Sequence, residues 1–270
     1  MTKRVFLWTA PRCVSTAFER SIMEIENSKI FHEPYSRAYY FGPERISQRY
    51  KHQSIEATST YKSIAKLLVK EFDGIDLVFS KDMAYCVDDH FANVLSDGMD
   101  KFNHTFLIRD PRKTIPSLYK ASVNKQLTGW DYYDPKESGF QQMHELYHFL
   151  VQELGTIPTV IDADDLLENP EGVMQAYCEA IGVNFNKKML EWEPGPVPDW
   201  DVWAGWHENA LKSSGFKRQE PEKSKIDQDK KNEADLPNIA RQTIERSIPL
   251  YEELYKNRIK ATPKNTDVNT

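Results

Sequence analysis

The sequence predicts an α/β fold, a mainly parallel sheet flanked by helices, in a single domain over residues 1–260. Two observations carry this expectation. Short apolar runs of strand length alternate with longer segments of helical periodicity, as in parallel strands joined by crossover helices. Chain breakers (Pro11, Pro34, Pro111 and Pro170) stand where those runs give way to helical patterns.

Val5–Thr9 reads as the first strand, with a turn at Pro11 and Arg12, after which Phe18, Ile22 and Ile25 recur at helical spacing. Lys29–His32 is a short second strand leading into Glu33-Pro34. Residues 35–72, rich in Tyr, Arg, Ser and Lys, predict helical pieces capping one end of the sheet. Leu77–Phe79 is a further strand that ends at Ser80-Lys81-Asp82. Thr105–Ile108 is a buried strand with Arg109-Asp110-Pro111 at its carboxyl end. Phe140–Leu154 carries a helical stripe through Met143, Leu146, Tyr147 and Leu150, and Thr159–Ile161 is another strand. Asn169-Pro170-Glu171 opens a helix as cap, first-turn proline and first-turn acid. Beyond a Pro- and Trp-rich stretch at 194–206, hardly a residue of 217–235 is apolar, which predicts a mobile surface loop. Ile239, Ile244, Ile248 and Tyr251 mark a last amphipathic helix, and residues 261–270 are expected to be a disordered tail.

The 35 basic and 41 acidic residues give a formal charge of -6, which argues against a nucleic-acid partner while leaving room for a local basic pocket. No apolar run approaches the ~18 residues of a membrane span, and the first apolar stretch is too short for a signal peptide. Cys13, Cys86 and Cys178 are few and widely spaced, so neither a disulfide framework nor a zinc site is indicated and a cytoplasmic location is expected.

The chemistry starts at Thr9-Ala10-Pro11-Arg12-Cys13-Val14-Ser15-Thr16, where a strand runs through a loop straight into a helix. Such a junction aims successive backbone N–H groups and a helix N-terminus at one spot, which suits a phosphate or sulfate. Arg12 adds a cation, and Ser15 and Thr16 add hydroxyl donors. The glycines and lysine of the nucleotide-hydrolase loop are missing, which makes an ATP or GTP site less attractive. Alone, this loop is equally compatible with Ser and Thr that only cap the helix. Arg109 at the end of a strand, with Ser117 eight residues later on the next helix, is suited to a second, separate phosphate. The structural alternative is a pair between Arg109 and Asp110 or Asp82.

Together these motifs resemble the sulfotransferases. Pro11-Arg12-Cys13-Val14-Ser15-Thr16 is similar to their 5′-phosphosulfate loop, with arginine where most members carry lysine. Arg109-Asp110-Pro111-Arg112 through Ser117 resembles their 3′-phosphate motif, and Ser213-Ser214-Gly215-Phe216-Lys217 more loosely resembles the late loop that closes over the same phosphate. More narrowly, the chain resembles a group of sulfotransferase-like proteins often labelled P-loop or aminotransferase-like, although no lysine stands in a convincing context for pyridoxal phosphate. The resemblance implies a P-loop-like nucleotide-binding sulfotransferase fold. It also implies transfer of a sulfuryl group from 3′-phosphoadenosine 5′-phosphosulfate (PAPS) to a hydroxyl or amine of a small-molecule acceptor by in-line displacement. Arg12 would stabilise charge on the leaving oxygen, Arg109 and Ser117 would hold the 3′-phosphate, and no metal is implied.

Many members take the proton with a histidine two residues after a lysine; here that stretch is Lys81-Asp82-Met83. Other branches use a glutamate after the second strand, which makes Glu33 the first choice of base, His32 the second and Asp82 the third. Lys81 would help the leaving group or orient Glu33. The bland alternative for Glu33 is a salt bridge to Arg37 or Arg12. Trp200, Trp203, Trp206 and His207, with Tyr35, Tyr39 and Tyr40, are candidate pocket walls. His144-Glu145-Leu146-Tyr147-His148 formally matches a zinc-peptidase motif, but no sequence feature supplies a third ligand. A kinase on a related fold and a nucleotide-binding module without catalysis are the other rivals. The acceptor's identity and the oligomeric state are left open.

Overall fold

The computed structural model describes residues 2–88, 90–203, 205–216 and 236–261. The run 217–235, with Lys217 of the late loop, and the tail beyond Ala261 lie outside the described residues.

Among the described residues, five strands form one sheet: β1 (Lys3–Thr9), β2 (Ser28–His32), β3 (Leu77–Met83), β4 (Asn103–Ile108) and β5 (Thr159–Asp162). Their order is β2-β3-β1-β4-β5, and every pairing is parallel. β1 is central and flanked on both sides, so from Val5 to Thr9 it is buried without alternation, as the unbroken apolar run Val5–Trp8 requires. The core is aromatic there: Phe6 and Trp8 stack at 3.9 Å, and the Trp8 indole donates to His104 Nδ1 at 3.1 Å.

Helices cover both faces. In chain order they are α1 (Ser15–Met23), α2 (Pro34–Phe41), α3 (Tyr61–Leu68), α4 (Phe91–Leu95), α5 (Pro111–Ser122), α6 (Lys125–Thr128), α7 (Phe140–Leu154), α8 (Ala163–Glu168), α9 (Pro170–Ile181), α10 (Glu208–Leu211) and α11 (Asn238–Lys256). The expected stripe on the first helix is real through Phe18 and Ile22, but Ile25 lies past its end. α9 opens as read, with Pro170 in its first turn and the Asn169 side chain accepting from the Gly172 amide. The expected stripe of α11 shifts: Ile239 is exposed, and the buried face runs through Ala240, Ile244, Ser247, Tyr251 and Leu254. Tyr251 donates its hydroxyl to Asp162 at 2.9 Å, tying α11 to the end of β5.

The register places the site. Thr9 pairs with both Met83 and Leu107, so β1, β3 and β4 end level at one edge of the sheet. After β3 the chain crosses from one side of β1 to the other. Loops leaving β1 and β4 therefore diverge at this switch point and open a crevice, the usual ligand position in open parallel sheets. The late segment Pro198–His207 returns across this edge. Gly205 lets it do so: its φ is +84°, and a Cβ there would lie 1.8 Å from the Leu127 carbonyl oxygen. Only glycine allows that approach.

Candidate active site

A cleft of ≈ 1240 Å³ opens at this edge. Arg12, Val14, Ser15, Thr16, Glu33, Arg109, Ser117 and Ser213–Phe216 all line it, so the structure brings the separately read motifs together. Among the described residues, six cations line it (Arg12, Arg109, Arg112, Lys113, Lys120 and Lys212) against three carboxylates (Glu33, Asp164 and Glu168). The described lining is thus positive on a chain of net charge -6.

The first loop takes its shape from left-handed backbone at Arg12 (φ 68°) and Val14 (φ 66°). Each such residue costs about 1 kcal/mol or more without glycine, strain that the fold must hold. α1 begins directly after Val14 with no side-chain cap bond, which removes the reading of Ser15 and Thr16 as mere caps. Val14, Ser15, Thr16 and Ala17 all line the cleft, and no N-cap side chain bonds to the amides of this first turn. Cys13 is fully buried, burial pushes its thiol up to about 12, and its side chain is not part of the wall.

Arg12 donates Nε to Ser117 Oγ at 2.9 Å and Nη1 to the Trp206 carbonyl at 3.3 Å, while Arg109 Nη1 donates to the Arg12 carbonyl at 3.3 Å. The two motifs expected at separate phosphates therefore interlock. Arg109 pairs with Asp164 at 3.4 Å, not with Asp110 or Asp82; Asp110 is taken by Arg112. Burial and the neighbouring Arg109 hold the Arg12 pKa below its ordinary value. Two guanidinium groups kept this close favour an anion between them. In the late loop, Ser213 Oγ accepts from the Trp192 indole at 3.1 Å. Gly215, with φ +147°, lies so near the Leu190 carbonyl that a Cβ would sit 2.6 Å from its oxygen.

Behind Glu33 lies a buried charge network. Lys81, fully buried, donates to Glu33 Oε1 at 2.6 Å and lies 3.7 Å from Glu19. Glu19 takes His32 Nδ1 at 2.9 Å and the Trp200 indole at 2.9 Å. His32 Nε2 meets His207 Nε2 at 3.1 Å, and His207 Nδ1 meets Thr16 Oγ1 at 3.2 Å. Burial alone would raise the Glu33 carboxyl, but Lys81, His32 and His207 together bring the value down to about 2. His207 is lowered to about 3 by burial, so it is neutral at pH 7.

This network corrects several expectations. Glu33 pairs with Lys81, not with Arg37 or Arg12; Arg37 bonds Glu56. His32 has both ring nitrogens engaged and is not among the residues that line the cleft. Lys81 is fully buried, does not line the cleft, and has Glu33 as its nearest carboxylate. Asp82 accepts from the Tyr35 amide at 2.5 Å and from Ser36 Oγ at 2.8 Å, holding the start of α2; burial beside Glu33 pushes its carboxyl up to about 7. Of the proposed aromatics, Tyr40, Trp203 and Trp206 line the cleft, with His207. Tyr35 and Tyr39 pack inside, and Trp200 serves Glu19. Glu19 itself was missed. Its signal was an acid at a core position of α1, one residue after Phe18 and three before Ile22.

Fold and cleft define an α/β protein whose first strand–loop–helix forms a cation-lined corner at the switch point of a parallel sheet. The family model described as "Sulfotransferase domain" matches residues 3–244, and the chain belongs to that family. The fold is shared with the sulfotransferase domain from the curacin biosynthetic pathway (TM-score 0.54, 14% identity, 90% of this chain and 97% of that one). It is shared equally with the sulfotransferase domain from the Synechococcus PCC 7002 olefin synthase (TM-score 0.53, 14% identity, 91% and 95%). In sequence, the chain is 28% identical over 251 residues to branched-chain-amino-acid aminotransferase-like protein 1 of Arabidopsis thaliana, covering 90% of this chain but 40% of that protein. A shorter match, 29% over 102 residues, is to sulfotransferase ppzF of Metarhizium rileyi, covering 33% of this chain and 30% of that one. The chain thus spans less than half the length of these curated relatives. Among the described residues, no helix is long and apolar enough to cross a membrane.

Removing the shared cation tests the buried network. Lys81→Met leaves Glu33 and Glu19 buried without it and should cost about 3–5 kcal/mol at pH 7, the range for an orphaned buried charge. In the variant the carboxyls rise and protonate on acidification, so the penalty should shrink as pH falls through them. Urea unfolding at pH 7 and pH 5 measures this; a loss that is small or independent of pH would mean the network carries no such energy.

Proposed function

We propose that the cleft binds PAPS and transfers its sulfuryl group to a hydroxyl or amine of a small-molecule acceptor. The observation that carries this is the interlock of Arg12, Ser117 and Arg109 beside the uncapped start of α1. It supports a ligand bearing two anionic groups, as a 3′,5′-bisphosphorylated nucleotide does. The cleft volume exceeds the roughly 300–1,000 Å³ of a single drug-sized ligand, which suits a donor and an acceptor together.

In this reading the α1 amides and Arg12 hold the sulfate and stabilise charge gathering on the departing oxygen. Arg109 and Ser117 grip the 3′-phosphate, and this remote binding energy fixes the sulfur in line with the acceptor. Glu33 accepts the acceptor's proton: it lines the cleft, is ionised, and is held in place through Oε1 by Lys81. His207, neutral and also in the wall, is the competing acceptor. The direct test is incubation with PAPS and a panel of alcohols, phenols and amines, following release of 3′-phosphoadenosine 5′-phosphate and product mass. No nucleotide release with any acceptor, and no donor binding, would reject the reading.

Arg109→Ala removes a charge-assisted contact worth about 1.5–3 kcal/mol. Affinity for 3′-phosphoadenosine 5′-phosphate should fall roughly tenfold or more. Binding of adenosine 5′-phosphosulfate, which lacks the 3′-phosphate, should hardly change in calorimetry. Equal losses for both nucleotides would remove Arg109 from the 3′-phosphate.

Glu33→Gln should lower kcat by about a hundredfold or more with donor affinity nearly intact, the usual loss for a missing general base. His207→Asn should cost far less. The reverse ranking would make His207 the proton acceptor.

The pH profile follows from the same geometry. Glu33, depressed to about 2, stays ionised on the acid side, and His207, depressed to about 3, stays neutral. With both substrates saturating, kcat should therefore be flat from about pH 5 to 8, where an ordinary histidine would titrate near 6.5. An inflection near that value that persists in Glu33→Gln would place an unshifted histidine in the proton transfer.

A further inference from the structure

The His-Glu-x-x-His run that sulfotransfer does not use gains in three dimensions what it lacked in sequence. α7 presents His144 and His148 one helical turn apart, and α11 packs against it with Glu253 opposite. His144 Nε2 and His148 Nε2 are each 2.8 Å from a different oxygen of the Glu253 carboxylate, and 3.2 Å from each other. We infer that His144, His148 and Glu253 form a surface binding site for a divalent transition-metal ion of the zinc type.

The donor geometry argues for it. Around a tetrahedral zinc with bonds of about 2.0–2.1 Å, neighbouring ligand atoms lie about 3.3–3.4 Å apart. The two ring nitrogens, 3.2 Å apart, already stand near that spacing, and each carboxylate oxygen, 2.8 Å from its ring nitrogen, needs to move by about half an ångström. Without an ion, both Nε2 atoms face one carboxylate, and the contact between the rings is a hydrogen bond only if one of them gives up its proton to act as acceptor. An ion in place of those protons satisfies both imidazoles and the carboxylate at once. Two imidazoles and one carboxylate favour zinc, cobalt or nickel over magnesium or calcium, which prefer all-oxygen shells.

The ion would be held on the surface: the side-chain exposures of His144, His148 and Glu253 are 20%, 47% and 47%. Its remaining coordination would be water. Neither histidine lines the cleft, and Glu145, the residue that would act as base in a peptidase, accepts from Gln141 Nε2 at 2.6 Å. The site therefore joins α7 to α11 as a clamp and supplies no peptidase chemistry. Because α11 also holds the end of β5 through Tyr251, the clamp would fasten the C-terminal helix to the sheet.

The test uses the full chain without a polyhistidine tag, stripped with a chelator and dialysed. Calorimetric titration with Zn²⁺ should show one equivalent bound, and Zn²⁺ but not Mg²⁺ should raise Tm by several degrees. Loss of even an outer partner of a metal ligand costs 10–100-fold in affinity, so His144→Ala and His148→Ala should each cost roughly 100-fold or more. Glu253→Gln should weaken binding less, and circular dichroism in chelator should match the parent for all three. Co²⁺ should give visible d–d absorption in the parent that His148→Ala loses. His32, Glu33 and His207 are a second cluster of possible ligands, so His207→Ala is the control and should bind as the parent does. Absence of binding, or binding that survives loss of both surface histidines, would overturn the assignment.

Discussion

Everything at the working edge of this protein leans on one buried lysine. Lys81 is fully enclosed between the carboxylates of Glu33 and Glu19. Burial alone would lower its pKa, yet Glu33 and Glu19 hold it above the ordinary value. A buried charge of this kind is tolerated only when its partners are fixed. The fixing is mutual. Glu33 sits at φ 47°, a strained conformation for glutamate, and is held by its amide donating to the Lys81 carbonyl and its carboxylate taking the ammonium. Glu19 in turn orients His32, which meets His207, which meets Thr16 of the first loop. A chain of polar contacts therefore runs from the core to Glu33 and His207 in the cleft wall.

The second constraint is the sheet order. Because β1 lies between β3 and β4, the loop after β1 and the helix after β4 are neighbours, and Arg12 reaches Ser117 across that gap. Cationic side chains gather there on a chain that is acidic overall, so the local field differs in sign from the net charge. The aromatic wall of Tyr40, Trp130, Trp203 and Trp206 closes another side, where Trp130 and Trp206 meet at 4.5 Å.

Family membership and fold agree while the names of relatives diverge. The curacin-pathway and olefin-synthase domains that share this fold are sulfotransferase domains, and the longer plant relatives carry an aminotransferase-like name. This chain matches 40% of the plant protein's length, so that name describes a larger molecule.

The sequence by itself determined the strands, the helix starts and the two motifs that come to line the cleft. These are local signals: an apolar run of strand length, a proline in a first turn, and an Arg-to-Ser spacing on one helix are all set within about a dozen residues. Only the tertiary structure decided which charges meet. Lys81 faces Glu33 because β2 and β3 pair with His32 beside Lys81, and a slip of one residue would turn that side chain to the other face. Glu19 reached its role only when Trp200 folded back onto it, and the paired histidines of α7 found Glu253 more than a hundred residues away. Periodicity reports which face of an element is buried. It carries no record of which distant side chain will be buried against it, because that choice belongs to register and packing across the whole sheet.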